Sequence, residues 1–178
     1  MNRLQEFNIA FAGLKVGKHS YSMAVNDDFF ACFPESQISK ALLQLSLELE
    51  KSNSMLQFDF TITGEVELEC DRCLEMYRQP LMVHRRLMVK FGEEFAEQSD
   101  EILVIPSGES HFDISHFVYE FIHLELPWRH VHPEREGGAS GCDQEIIQKL
   151  KKYSDRKQDG SGNTDARWDA LNSLRSTS

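Results

Sequence analysis

Residues 58–73 read FDFTITGEVELECDRC, and this stretch sets the architecture of the chain. From Phe58 to Cys70, one phase of the alternation carries mainly apolar side chains and the other carries acidic or hydroxyl side chains. A period of two is typical of a strand with one buried face and one solvated face. The stretch therefore predicts a long strand that ends at a cysteine on its buried side.

Strands are also predicted on both sides of this stretch. Leucine occupies every second position over Leu43–Leu49, and the polar KSNS at 51–54 supplies a hairpin turn. After the CDRC turn, a third strand is predicted over about 81–91, so the three strands should form an antiparallel meander. The acidic segment GEEFAEQSDE at 92–101 is predicted to be a solvated loop before a short strand, ILVIP.

Helical spacing of apolar residues begins further along the chain. One helix is predicted from Asp113, as its N-cap, to Leu126, and another from Gln144 to about Tyr153. The predicted fold class is therefore α+β, with an antiparallel β-meander or sheet covered by one or two helices. Residues 1–153 are predicted to form a single domain that includes the Cys-x-x-Cys turn. Residues 154–178 are predicted to be a flexible tail ending in a short helix.

The composition indicates a soluble, acidic protein. The 178 residues include 19 Lys and Arg against 29 Asp and Glu, which gives a formal net charge of -10. That charge repels a phosphate backbone, so any RNA contact must use a local basic patch. No apolar run approaches the roughly 18 residues that a membrane-spanning helix needs, and the first residues lack the pattern of a secretory signal. A cytoplasmic location is therefore predicted.

The cysteines are the residues that point to chemistry. Cys70 and Cys73 lie in a turn between two strands, which is the arrangement of a zinc knuckle. Cys142 and one histidine would complete a tetrahedral site of sulfur and nitrogen ligands. We choose His132 over His130 because the proline that follows His132 holds the chain extended.

Two other interpretations of the cysteines remain open. Cys70 and Cys73 are also compatible with packing residues on a turn, because the long gap to Cys142 matches no standard zinc-ribbon spacing. A redox dithiol is the second alternative, although such a site usually begins a helix after a parallel strand. Cys32 is predicted to be a core side chain, because free cysteine is among the most buried residue types.

Known catalytic motifs are missing from the sequence. It contains no Gly-rich phosphate loop, no nucleophile elbow and no His-Glu-x-x-His metal motif, so we predict neither an enzyme nor a small-molecule substrate. A basic run that includes Arg85 and Arg86, with Arg72 nearby in the chain, is either a solvated strand face or a contact for phosphate or an acidic partner.

Three segments taken together resemble the YceD family, the large ribosomal RNA subunit accumulation proteins, in the version found in Bacteroidetes bacteria. The segments are CDRCLE at 70–75, LELPWRHVHPE at 124–134 with Cys142 after it, and DARWDALNSL at 165–174. Two features depart from the family pattern. Some relatives carry a second cysteine pair in the later segment, where this chain has one cysteine and two histidines, and Ala166 stands where a proline is expected.

The resemblance implies a non-enzymatic role in accumulating large-subunit ribosomal RNA, in which the chain binds precursor RNA or a large-subunit ribosomal protein. The candidate partner contacts are then Arg72, Arg85, Arg86, Arg167 and Trp168. The alternative function is a zinc-stabilised or redox-active Cys-x-x-Cys protein that acts in RNA processing. Zinc is the one cofactor predicted, and no membrane partner is expected.

Overall fold

A computed structural model describes residues 4–134 and 141–155. Within those ranges the fold is α+β, as predicted. The strands are β1 (Asn8–Ala10), β2 (Gly17–Asn26), β3 (Lys40–Lys51), β4 (Met55–Glu69), β5 (Met76–Gly92), β6 (Ala96–Ser99), β7 (Ile102–Pro106) and β8 (His111–Asp113). The helices are α1 (Asp27–Phe30), α2 (Ser115–Glu125) and α3 (Gln144–Asp155).

Six of these strands form one open sheet in the order β2-β3-β4-β5-β7-β6. All neighbours are antiparallel except β5 and β7, which run parallel. The remaining strands, β1 and β8, pair with each other as a two-stranded sheet. The predicted meander is confirmed as β3-β4-β5, and its third strand is longer than the pattern indicated.

One face of the six-stranded sheet forms the core. Phe58 and Phe60 of β4 are 0% and 1% exposed, while the side chain of Asp59 between them faces the other side of the sheet. Phe60 meets Phe121 of α2 edge-to-face with ring centroids 5.2 Å apart, so α2 covers this face. Burying an aromatic side chain of this size contributes about 2–3 kcal/mol to stability. The alternation read from the sequence is therefore the alternation of the core.

A glycine in the middle of β4 allows β3 and β4 to approach closely. Gly64 pairs with Leu43 and has a φ of +143°, a backbone conformation that residues with a side chain rarely adopt. A Cβ at this position would collide with the carbonyl oxygen of Leu42 on β3. Glycine is the residue that meets both conditions.

Three local predictions were wrong. The acidic segment 92–101 is exposed, as expected, but it contains strand β6, which pairs with β7 through backbone groups and so needs no apolar alternation. Asp113 ends β8 instead of occupying the N-cap, although its carboxylate accepts a hydrogen bond from the Ser115 N–H at 2.8 Å. Cys32 is only half-buried, and its thiol lies 3.4 Å from the Asp28 carbonyl oxygen.

The chain divides into two compact units. The described part of the first unit, which we call the sheet unit, comprises residues 4–69 and 76–130. The described part of the second, which we call the knuckle unit, comprises residues 70–75, 131–134 and 141–155. That residues 1–153 form one domain stays a prediction. The predicted tail was 154–178, but Ser154 and Asp155 are the last residues of α3, and 156–178 lie outside the described residues. No described helix has the length and apolar character needed to cross a membrane.

Candidate metal centre

The knuckle, residues 70–75, is a tight turn closed by main-chain hydrogen bonds. The Leu74 N–H donates to the Cys70 carbonyl at 2.9 Å, and the Cys70 N–H donates to the Glu75 carbonyl at 3.0 Å. Leu74 has a φ of 61°, in the left-handed region, which costs a non-glycine residue about 1–2 kcal/mol. The two hydrogen bonds keep the turn closed even though Leu74 is strained. Because Cys70 and Cys73 both lie in this closed turn, the backbone holds both cysteines in place.

The other two side chains of the site come from the later part of the knuckle unit. His132 lies in a stretch that is neither helix nor strand, and Cys142 lies just before α3. Gly141 is packed against this segment: a Cβ there would lie 2.5 Å from the Pro133 carbonyl oxygen and 3.0 Å from the His132 Cβ. The missing side chain at Gly141 thus lets Cys142 come close to His132.

Four potential ligand atoms converge at one point. The sulfurs of Cys70, Cys73 and Cys142 and a ring nitrogen of His132 all lie within 4.8 Å of one another. The Cys70 and Cys142 sulfurs are 3.7 Å apart, and the Cys73 sulfur is 3.4 Å from His132 Nδ1. Zn–S bonds of about 2.3 Å and Zn–N bonds of about 2.1 Å in a tetrahedron give edges of about 3.8 Å and about 3.6 Å. The two measured distances therefore match the edges of a zinc tetrahedron.

The electrostatics of the two knuckle cysteines differ. Burial raises the pKa of Cys70, but hydrogen bonds from the backbone N–H groups of Cys73 and Arg72 and from His132 outweigh it and bring the pKa to about 6. Burial also raises the pKa of Cys73, and the neighbouring sulfurs of Cys70 and Cys142 raise it further. One sulfur is thus prepared as a thiolate, and a cation at the centre would relieve the repulsion that disfavours the next.

The donor set fits zinc. Three thiols and one imidazole are the soft and borderline ligands that Zn²⁺ binds in structural sites. The three cysteines are at most 2% exposed, and the protein itself offers all four tetrahedral positions. A catalytic zinc would need a position open to water. The arrangement therefore fits a structural ion that cross-links the knuckle to the segment carrying His132 and Cys142.

The four residues predicted as metal ligands are those that the structure brings together. His130, the alternative considered from the sequence, is not part of the group. Sequence reasoning missed the supporting positions Gly141 and Leu74. A glycine immediately before a candidate ligand was an available signal for Gly141, whereas the left-handed backbone at Leu74 has no signature in the residue type.

The residues predicted as partner contacts fall in different parts of the chain. Arg72 is exposed on the knuckle. Arg85 and Arg86 are neighbours in β5 and so point to opposite faces of the sheet. Arg85 forms an ion pair with Glu125 at 3.2 Å, and Arg86 forms one with Asp59 at 2.6 Å. The two tail residues, Arg167 and Trp168, lie outside the described residues.

The chain was compared with curated proteins, with solved structures and with models of protein families. Searches of curated proteins and of solved structures gave no match to this chain. The family model described as "Large ribosomal RNA subunit accumulation protein YceD" matches residues 58–175. The matched range begins in β4 and includes all four residues of the candidate metal centre. Since it covers more than half of the chain, this protein belongs to the YceD family.

Proposed function

We propose that this chain is a non-enzymatic ribosome biogenesis factor that supports the accumulation of large-subunit ribosomal RNA in the cytoplasm. The observation that carries the proposal is the family match over residues 58–175, because the family's description names that role. The chain would act by binding a large-subunit ribosomal protein or precursor RNA. Arg72, Arg85, Arg86, Arg167 and Trp168 remain its candidate contact residues.

In this proposal, zinc makes the knuckle rigid. An ion bound by Cys70, Cys73, His132 and Cys142 would join two segments that are far apart in the sequence. The ion would hold Arg72, which is exposed on the knuckle, in one orientation. A preorganised contact loses less conformational entropy when it binds than a mobile one does.

A test of the proposal combines metal content with a cellular measurement. Purified full-length protein should contain about one zinc per chain, and Cys73→Ser should lose most of it. Cys32→Ser is the matched control, because Cys32 is a half-buried cysteine outside the site. Each version is then supplied to cells as their only copy of the chain. The ratio of large- to small-subunit ribosomal RNA should fall in cells with Cys73→Ser and should stay normal in cells with Cys32→Ser. The wild-type chain should co-sediment with precursor particles. A normal ratio in cells without the chain would refute the proposal.

The second candidate is a redox or RNA-processing enzyme that uses Cys70 as a nucleophile. The observation in its favour is the lowered pKa of Cys70, because a thiolate is the reactive form of cysteine. The same measurements separate the two candidates. If the chain is an enzyme of this kind, the purified wild-type protein should contain no zinc, and the Cys70 thiolate should react rapidly with an alkylating reagent. If the site holds a structural zinc ion, its cysteines should resist alkylation until the metal is removed.

A further inference from the structure

Strand β6 is an open edge of the six-stranded sheet. The strand order ends at β6, which pairs with β7 on one side only. All four residues of Ala96–Ser99 are exposed. Along the described chain, no strand pairs with the outer side of β6, so its backbone N–H and C=O groups there remain available. Such an edge is a template for an added strand.

The charge around this edge is strongly one-sided. The segment 93–101 carries carboxylates at Glu93, Glu94, Glu97, Asp100 and Glu101 and no basic residue. Among the described residues, none of these carboxylates lies within ion-pair distance of a basic group, although Glu101 interacts electrostatically with Arg86 and Lys90 Nζ lies 3.3 Å from Gln98 Oε1 of β6. Phe95, in the middle of the acidic residues, is 67% exposed. The edge therefore combines open backbone groups, an excess of negative charge and an exposed aromatic side chain.

These features define the strand that could pair with β6. Pairing with β6 of a second copy would bring two acidic segments together, and RNA would be repelled by the same charge. The opposite edge of the sheet, β2, contains Lys18 and no acidic residue, so it does not attract the same partner. The charge at β6 is complementary to a strand rich in lysine or arginine.

We infer that β6 binds an extended, basic segment of a protein partner by strand addition. The inference rests on the proposed function and narrows it, because it selects a protein over RNA as the partner at this surface. Backbone hydrogen bonds would supply the affinity, the carboxylates would select a basic segment, and Phe95 would pack against its aliphatic carbons.

A peptide experiment tests the strand addition. The probe is a capped peptide of alternating lysine and valine, added to the full-length chain while backbone amide resonances are recorded. We expect the largest shifts in Ala96–Ser99 and in the residues beside it. The same peptide with alternate backbone nitrogens methylated keeps its charge but cannot pair, so its affinity should be at least about ten-fold lower. Equal affinity of the two peptides, or the absence of shifts at β6, would overturn the inference.

A pair of matched variants separates the edge from general attraction between opposite charges. Glu94→Gln with Glu97→Gln removes two charges at the edge. Glu48→Gln with Glu50→Gln removes two charges from exposed positions of β3, an interior strand. The edge variant should bind the peptide about ten-fold more weakly, while the β3 variant should stay within about two-fold of wild type. An equal loss in both variants would show that net charge alone drives binding, and would overturn the inference.

The cellular measurement distinguishes this inference from the proposed function. The edge variant should lower the ratio of large- to small-subunit ribosomal RNA, and the β3 variant should leave it unchanged. If the edge variant lost peptide binding but kept a normal ratio, and removal of the chain still lowered that ratio, the inference would be wrong and the proposed function would stand.

Discussion

At the level of single residues, the candidate metal centre depends on positions that cannot themselves bind metal. Gly141 is the clearest case, because its missing side chain leaves room for the Pro133 carbonyl and the His132 Cβ. We predict that Gly141→Ala displaces His132 or Cys142 and weakens zinc affinity about ten-fold or more, as loss of a supporting group does elsewhere. Competition with a chromogenic chelator measures the affinity. Gly108→Ala is the control, because a Cβ at Gly108 meets nothing within 4 Å. A Gly141→Ala protein with wild-type affinity would show that the close packing is not required.

The ionisation of Cys70 gives a second prediction at this level. In metal-free protein, its pKa of about 6 lies below the ordinary value of 9.0, because the hydrogen bonds to the thiolate outweigh burial. The thiolate therefore adds to the free energy of unfolding above about pH 9, and this contribution is lost as the pH falls through about 6.

We expect one thiolate to form near pH 6 in the folded, metal-free chain, while the pKa of Cys73 stays raised by burial. Ultraviolet thiolate absorbance across the pH range measures both steps, and Cys70→Ser should remove the first. A titration with no step below pH 8 in the wild-type protein would contradict this prediction.

At the level of elements, the pairing of β3 with β4 depends on Gly64. We predict that Gly64→Ala lowers the free energy of unfolding by about 3 kcal/mol, because the added methyl group meets the Leu42 carbonyl and the φ of +143° is strained for alanine. Denaturant unfolding measures the change. Gly13→Ala should stay within about 0.5 kcal/mol of wild type, since nothing lies within 4 Å of its Cβ position. Similar losses in both variants would argue against the close approach.

The same strands show which elements a local pattern can predict. The meander was predictable because burial on one face imposes a period of two on β3, β4 and β5. Strand β6 was not, because both of its faces are exposed and its pairing with β7 uses backbone groups that every residue has. An edge strand of this kind leaves no hydrophobic signal in the sequence.

At the level of the whole molecule, zinc removal should affect the two units differently. The sheet unit has its own aromatic and aliphatic core, whereas in the described part of the knuckle unit the four converging side chains join the knuckle to the segment that carries His132 and Cys142. We predict that chelation leaves the β-sheet circular dichroism signal largely intact but speeds proteolysis between His132 and Cys142 by about ten-fold or more. Cooperative unfolding of the sheet on chelation would show instead that zinc holds the entire chain together.

The local sequence was enough to establish the central meander and to name all four candidate ligands, although a recognised spacing supported only two of them. Apolar and polar side chains alternate in these strands because one face of the sheet is buried, and the Cys70-x-x-Cys73 spacing fits two ligands on one turn. The rest depended on the folded chain. Cys142 meets Cys70 across 72 residues and His132 meets Cys73 across 59, and neither spacing matches a standard motif. Contacts over such separations follow from how whole segments pack, because no periodic pattern links residues that are distant in the chain.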